Sequence, residues 1–124
     1  MIDIQKQIAY WREGAQEDWA AAQELVDRGR TRHGLFFAHL ALEKILKAHA
    51  CAKTQDLAPR IHNLIRLADE AGLALTSDRR KVLATMNIFA LAGRYPEHLP
   101  PEPPDPRALM HQSAEVFTWL MQKL

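Results

Sequence analysis

Residues 35–49 read Leu35-Phe36-Phe37-Ala38-His39-Leu40-Ala41-Leu42-Glu43-Lys44-Ile45-Leu46-Lys47-Ala48-His49. Leu35, Ala38, Leu42, Ile45 and His49 share one face of a helix, and Phe36, Phe37, Leu40, Ala41 and Ala48 cover much of the rest. A helix apolar on most sides belongs at the centre of a fold. The pattern predicts a central helix from about Arg32 to Lys53, with Pro59 ending the regular run.

The neighbouring segments repeat the helical period. Upstream, Ile4, Ile8, Trp11, Ala15, Trp19, Ala22 and Val26 step by three and four and form one stripe, and Gly29 offers a stop. Downstream, a short helix is expected over about His62 to Ala71, capped by Gly72. The next begins at Thr76-Ser77-Asp78, carries the stripe Val82, Met86 and Phe89, and ends near Gly93-Arg94-Tyr95-Pro96. Six of the seven prolines lie between Pro96 and Pro106, which predicts an extended connection there. A last helix has Leu109, Val116, Phe117, Leu120 and Leu124 on one face. No segment alternates with period two, so the fold class is all-α: an up-and-down antiparallel bundle of about five helices. A chain of 124 residues has room for one domain, 1–124, with the proline-rich connection at about 96–106.

Composition narrows the setting. The balance is an ordinary globular one, 48% apolar and 25% charged. A single cysteine, Cys51, excludes an internal disulfide framework and reads as a small buried apolar residue. No basic leader precedes an apolar run, and no run approaches the roughly 20 residues of a bilayer span. The expected location is cytoplasmic, with no membrane partner. Net charge is +1, but residues 28–66 hold eight bases and two acids while residues 1–27 hold six acids and two bases. That local positive surface either attracts phosphate or cross-pairs with the first helix.

Three blocks recur in a known order: Ala41-Leu42-Glu43-Lys44-Ile45-Leu46-Lys47-Ala48, then Pro59-Arg60-Ile61-His62-Asn63-Leu64 with Ala71-Gly72-Leu73, then Arg94-Tyr95-Pro96. Together they resemble the prokaryotic HEPN family, with its A-L-E-K-x-L-K-A helix, its T-H-D-L-like turn and its R-Y-P close. The resemblance covers roughly residues 5–122. It implies a short bundle, often dimeric. Many small members stand beside a minimal nucleotidyltransferase in a toxin–antitoxin-like pair. Others are metal-independent endoribonucleases, whose Arg-x4–6-His motif joins across a dimer.

The chain departs from that motif. Arg94 and His98 are separated by three residues, Tyr95, Pro96 and Glu97. The pairs Arg28/His33 and Arg32/His39 have the right spacing in the wrong helix. The reading is therefore a non-catalytic or weakly catalytic HEPN partner of a nucleotidyltransferase. Its alternatives are an endoribonuclease toxin with an atypical Arg94/His98 catalytic site, and a structural dimeric adaptor. Candidate contacts to a nucleotide, phosphate or RNA are Lys44, Lys47, Arg60, His62 and Tyr95. Lys47, His62 and Arg94 also have structural readings. Glu43 and Lys47 form an i,i+4 pair on a solvated strip. His62 opens the third helix as a turn residue. Arg94 bonds helix-end carbonyls or Glu43. His39 and Glu43 lack a third and fourth ligand, so no metal and no other cofactor is expected. Trp11, Trp19, Phe36, Phe37 and Phe117 exceed what such a core hides, which predicts a homodimer.

Overall fold

The structure, a computed structural model, describes residues 2–91 and 101–124. Among these residues there are five α-helices and no strand. They are α1 (Ile4–Asp27), α2 (Thr31–Thr54), α3 (Leu64–Glu70), α4 (Ser77–Met86) and α5 (Pro106–Lys123), with a 3-10 helix at Asn87–Leu91. No described helix is long and apolar enough to cross a membrane.

The central helix is where the sequence puts it. Fourteen consecutive or near-consecutive α2 residues between Gly34 and Cys51 are buried. The largest helix interface is the α1–α2 hairpin, and α3, α5 and the 3-10 helix also pack on α2. On α1 the stripe enters the core at Ala15, Trp19, Ala22 and Val26, with Ile8 and Trp11 packed at its edge. Cys51 is fully buried, and burial pushes its thiol pKa up, as for an inert structural cysteine.

The breaks follow from local chemistry. Gly29 and Gly72 both have positive φ, +82° and +66°. Each closes a helix end in which the next residue's N–H reaches back five residues, Arg30 to the Leu25 carbonyl and Leu73 to that of Ala68. Thr76 accepts from the Arg79 N–H, as its N-cap position predicts.

Three boundaries differ from expectation. Helix α3 starts at Leu64 and not at His62, because Asn63 is the cap, its side chain accepting from the Ile65 and Arg66 N–H groups. Helix α4 stops at Met86 and tightens into 3-10 winding, with Asn87 at the changeover and Leu83, rather than Val82, fully buried. Pro106 does not end an extended segment but sits in the first turn of α5, where proline's missing N–H costs nothing. Asp105 caps that turn through the Ala108 N–H at 3.0 Å.

Two aromatics expected at a dimer interface are core residues. Trp19 and Phe117 are buried and stacked, with centroids 4.9 Å apart. The exposed large apolar side chains are instead Ile2, Tyr10, Leu57 and Ile88.

His49 ties α2 to the end of α5. A carbonyl only accepts, so Nε2–H donates to the Leu120 oxygen at 2.8 Å. Burial lowers the His49 pKa below its ordinary 6.5; the bond to Leu120 works the other way, and Lys123 adds to the lowering. With the folded pKa below the unfolded one, this contribution to stability is complete above about pH 6.5 and is lost as pH falls further. The melting temperature is therefore expected to drop between about pH 7.5 and pH 5, and His49→Gln to flatten that part of the profile; an unchanged slope in the variant would remove His49 as its source.

Candidate functional site

His39, Glu43 and Lys47 follow one another at i, i+4 spacing along α2. All three are buried, Glu43 at 5% and Lys47 at 7% exposure. The Lys47 Nζ donates to Glu43 Oε2 at 3.1 Å. This is the expected i,i+4 pair, but it is an interior one and not a solvated strip. Trp11 of α1 covers the lysine, whose Nζ lies 5.1 Å from the ring centroid. His39 Nδ1 stands 3.8 Å from Glu43 Oε1.

The carboxylate has a further partner from outside the helix. His62 Nδ1 lies 3.1 Å from both Glu43 oxygens. An ionised carboxylate only accepts, so Nδ1 carries the hydrogen, and Nε2 makes no hydrogen bond to the described residues. The His62 side chain remains 57% exposed, so the ring is gripped on one edge and open to solvent on the other.

The connection that carries His62 is fixed from the far side. Asn63 caps α3, Asn87 Nδ2 donates to Asn63 Oδ1 at 3.2 Å, and the Leu64 N–H donates to Asn87 Oδ1 at 2.8 Å. Two asparagines thus knot the start of α3 to the end of α4, one residue after the histidine. Arg60, two residues before it, is exposed.

The expected phosphate contacts therefore divide. Lys47 faces inward on Glu43. Lys44 pairs with Asp18 of α1 at 2.8 Å, a cross-pairing of the basic segment with the first helix. Arg60 and His62 are both exposed on the connection between α2 and α3, two residues apart in the chain. Arg94, Tyr95 and His98, and with them any bond from Arg94 to Glu43, lie outside the described residues. Among the described residues no cluster of three or more His, Cys, Asp or Glu side chains is arranged to hold a metal ion.

The sequence reading missed the Glu43–His62 pair and both asparagines. An Asn directly before the first apolar residue of a helical pattern was a readable cap signal. A contact across 19 residues carried no such signal.

A groove elsewhere among the described residues has the wrong chemistry for an anion. It is a volume of about 640 Å³ between α4 and α5, where Asp78 and Glu115 offset Arg79 and Lys81. Arg79 is itself engaged, stacked 3.9 Å above the Trp119 ring.

The HEPN domain model matches residues 8–124 of the chain. The crystal structure of TT1696 from Thermus thermophilus superposes with a TM-score of 0.79 at 18% identity, covering 95% of this chain and 98% of that one. At that identity the likeness establishes the fold and nothing finer. No curated protein matches the chain.

Proposed function

Because the chain belongs to the HEPN domain family, we propose that it is the non-catalytic or weakly catalytic partner of a nucleotidyltransferase in a toxin–antitoxin-like pair, and that it contacts nucleotide phosphate at the Arg60–His62 turn. The observation that carries the phosphate contact is the sorting of the basic side chains. Lys44 and Lys47 each sit on a carboxylate. Arg60 is exposed, two residues before an imidazole that a buried Glu43 holds by one edge. A guanidinium and an imidazole two residues apart suit a phosphate, the first as a fork of donors and the second through one N–H. The pairing with a transferase rests on the habit of small family members that the sequence resemblance implies.

The whole chain is read as one domain, and its state as a homodimer. Exposed Tyr10 and half-buried Trp11 and Phe37 belong to the α1–α2 hairpin and are apolar side chains that a partner copy would cover. A monomer mass by light scattering at tens of micromolar would count against the dimer.

Titration calorimetry with ATP at low salt tests the phosphate contact. Arg60→Ala is expected to weaken binding about tenfold, the worth of one charge-assisted hydrogen bond, with an unchanged melting temperature. Equal affinity in the variant would place the contact elsewhere. If the wild-type protein cleaves RNA without metal, and His98→Ala abolishes the cleavage while folding normally, the non-catalytic reading is wrong.

A further inference from the structure

We infer that the Arg60–His62 turn is a proton-dependent anion site, in which His62 binds phosphate only in its imidazolium state; the inference rests on the phosphate contact proposed above. The geometry fixes which nitrogen does what. Nδ1 is committed to Glu43 at 3.1 Å from both oxygens, in the neutral and the charged ring alike. The open edge of this 57% exposed side chain therefore carries Nε2. In the neutral ring Nε2 holds a lone pair, which repels a phosphate oxygen. In the imidazolium it holds an N–H, which donates to one. The carboxylate thus removes the ring's usual escape, a tautomer shift that would turn an N–H outward without taking up a proton.

The surrounding charges make that proton decisive. On α2, Glu43 and Lys47 cancel, and Lys44 is cancelled by Asp18 of α1. His39 is fully buried behind Glu43, and α1 contributes the neutral Trp11 over Lys47. Between Ala58 and Asn63 the charge is then Arg60 while His62 is neutral, and Arg60 with His62 once it is protonated; exposed Asp56 lies upstream on the same connection and exposed Arg66 follows in the first turn of α3. A second cation hydrogen-bonded to the same anion strengthens binding, whereas a lone guanidinium at the surface holds it weakly.

The test needs anions whose own charge is constant. An octamer of deoxythymidine and cyclic AMP both carry phosphodiesters that keep one charge per phosphate between about pH 5.5 and pH 8. Their affinities for the full chain are measured at both pH values at one low ionic strength, with circular dichroism confirming the fold at each. The wild-type protein is expected to bind at least about tenfold more tightly at the lower pH, the effect of one added charge-assisted donor. His62→Gln, which retains a side-chain amide for Glu43, is expected to bind equally at both. Tightening of the octamer alone assigns the site to a nucleic-acid backbone; tightening of both probes assigns it to a single nucleotide phosphate. Persistence of the pH dependence in His62→Gln would overturn the inference, since His39, His49 or another group would then be its source. Binding that depends on Arg60 but not on pH would overturn it while leaving the phosphate contact standing. Absence of binding at either pH overturns both.

Discussion

Glu43→Ala is expected to destabilise the protein by about 3–5 kcal/mol, the cost of leaving one member of a buried ion pair without its counter-charge. Lys47 is 7% exposed and lies beneath Trp11, so its ammonium loses the carboxylate without gaining full hydration. The same substitution releases His62, which Glu43 holds from across the α2–α3 connection. Urea unfolding measures the loss. The companion experiment separates charge from shape. A double variant, Glu43→Leu with Lys47→Met, removes both charges and keeps apolar volume, and buried pairs replaced in this way are often neutral or more stable. Recovery of most of the stability in the double variant is expected. A loss below about 1 kcal/mol in Glu43→Ala, the size of a surface pair, would mean that Lys47 reaches water and that the cluster is not an interior one.

Gly34→Ala is the second large effect, opposite in sign to the simple expectation for a glycine inside a helix. Alanine is favoured over glycine there by about 1 kcal/mol. At Gly34, however, an added Cβ collides with Val26 Cγ2 and lies 3.0 Å from both the Ala22 carbonyl oxygen and the Val26 nitrogen. Two of those three are backbone atoms of α1, and the third is a branched side chain in the core. Neither can swing aside, so the α1–α2 hairpin must open where it begins. Overpacking of this kind costs typically about 1–3 kcal/mol, which outweighs the gain in helix propensity. A melting temperature at or above that of the wild type would show that the hairpin is looser than described.

Much of the fold was legible because it is written in local pattern. The apolar wrapping of 35–49 marks the central helix, and the stripe from Ile4 to Val26 marks its neighbour. Gly29, Gly72 and Thr76 punctuate as their backbone chemistry requires. The errors of boundary also have local causes. Asn63 caps α3 in place of His62, and Pro106 begins a helix because its position in the first turn needs no N–H. The site was less legible. Lys44 and Lys47 belong to one basic segment, but their partners are decided by packing: one meets Asp18 of another helix, the other a carboxylate one turn back. Glu43 was read against its helical neighbours and against Arg94. Its bond to His62 arises only when the α2–α3 connection folds back on α2, and that return is set by Asn63 and Asn87, residues 24 positions apart. The HEPN resemblance was carried by motif blocks and not by any of these contacts.

The direct test of the account is the state of the His62 ring. Long-range nitrogen–proton correlation spectra of histidine-labelled protein, assigned with His62→Gln, report which ring nitrogen holds the hydrogen near neutral pH. The Glu43 contact predicts the Nδ1–H tautomer for His62, with an Nε2 resonance that moves on addition of the deoxythymidine octamer at about pH 5.5 and reverts to the common tautomer in Glu43→Gln. An Nε2–H tautomer in the wild-type protein, with no response to the octamer, would contradict both the grip of Glu43 on the ring and the anion site built on it.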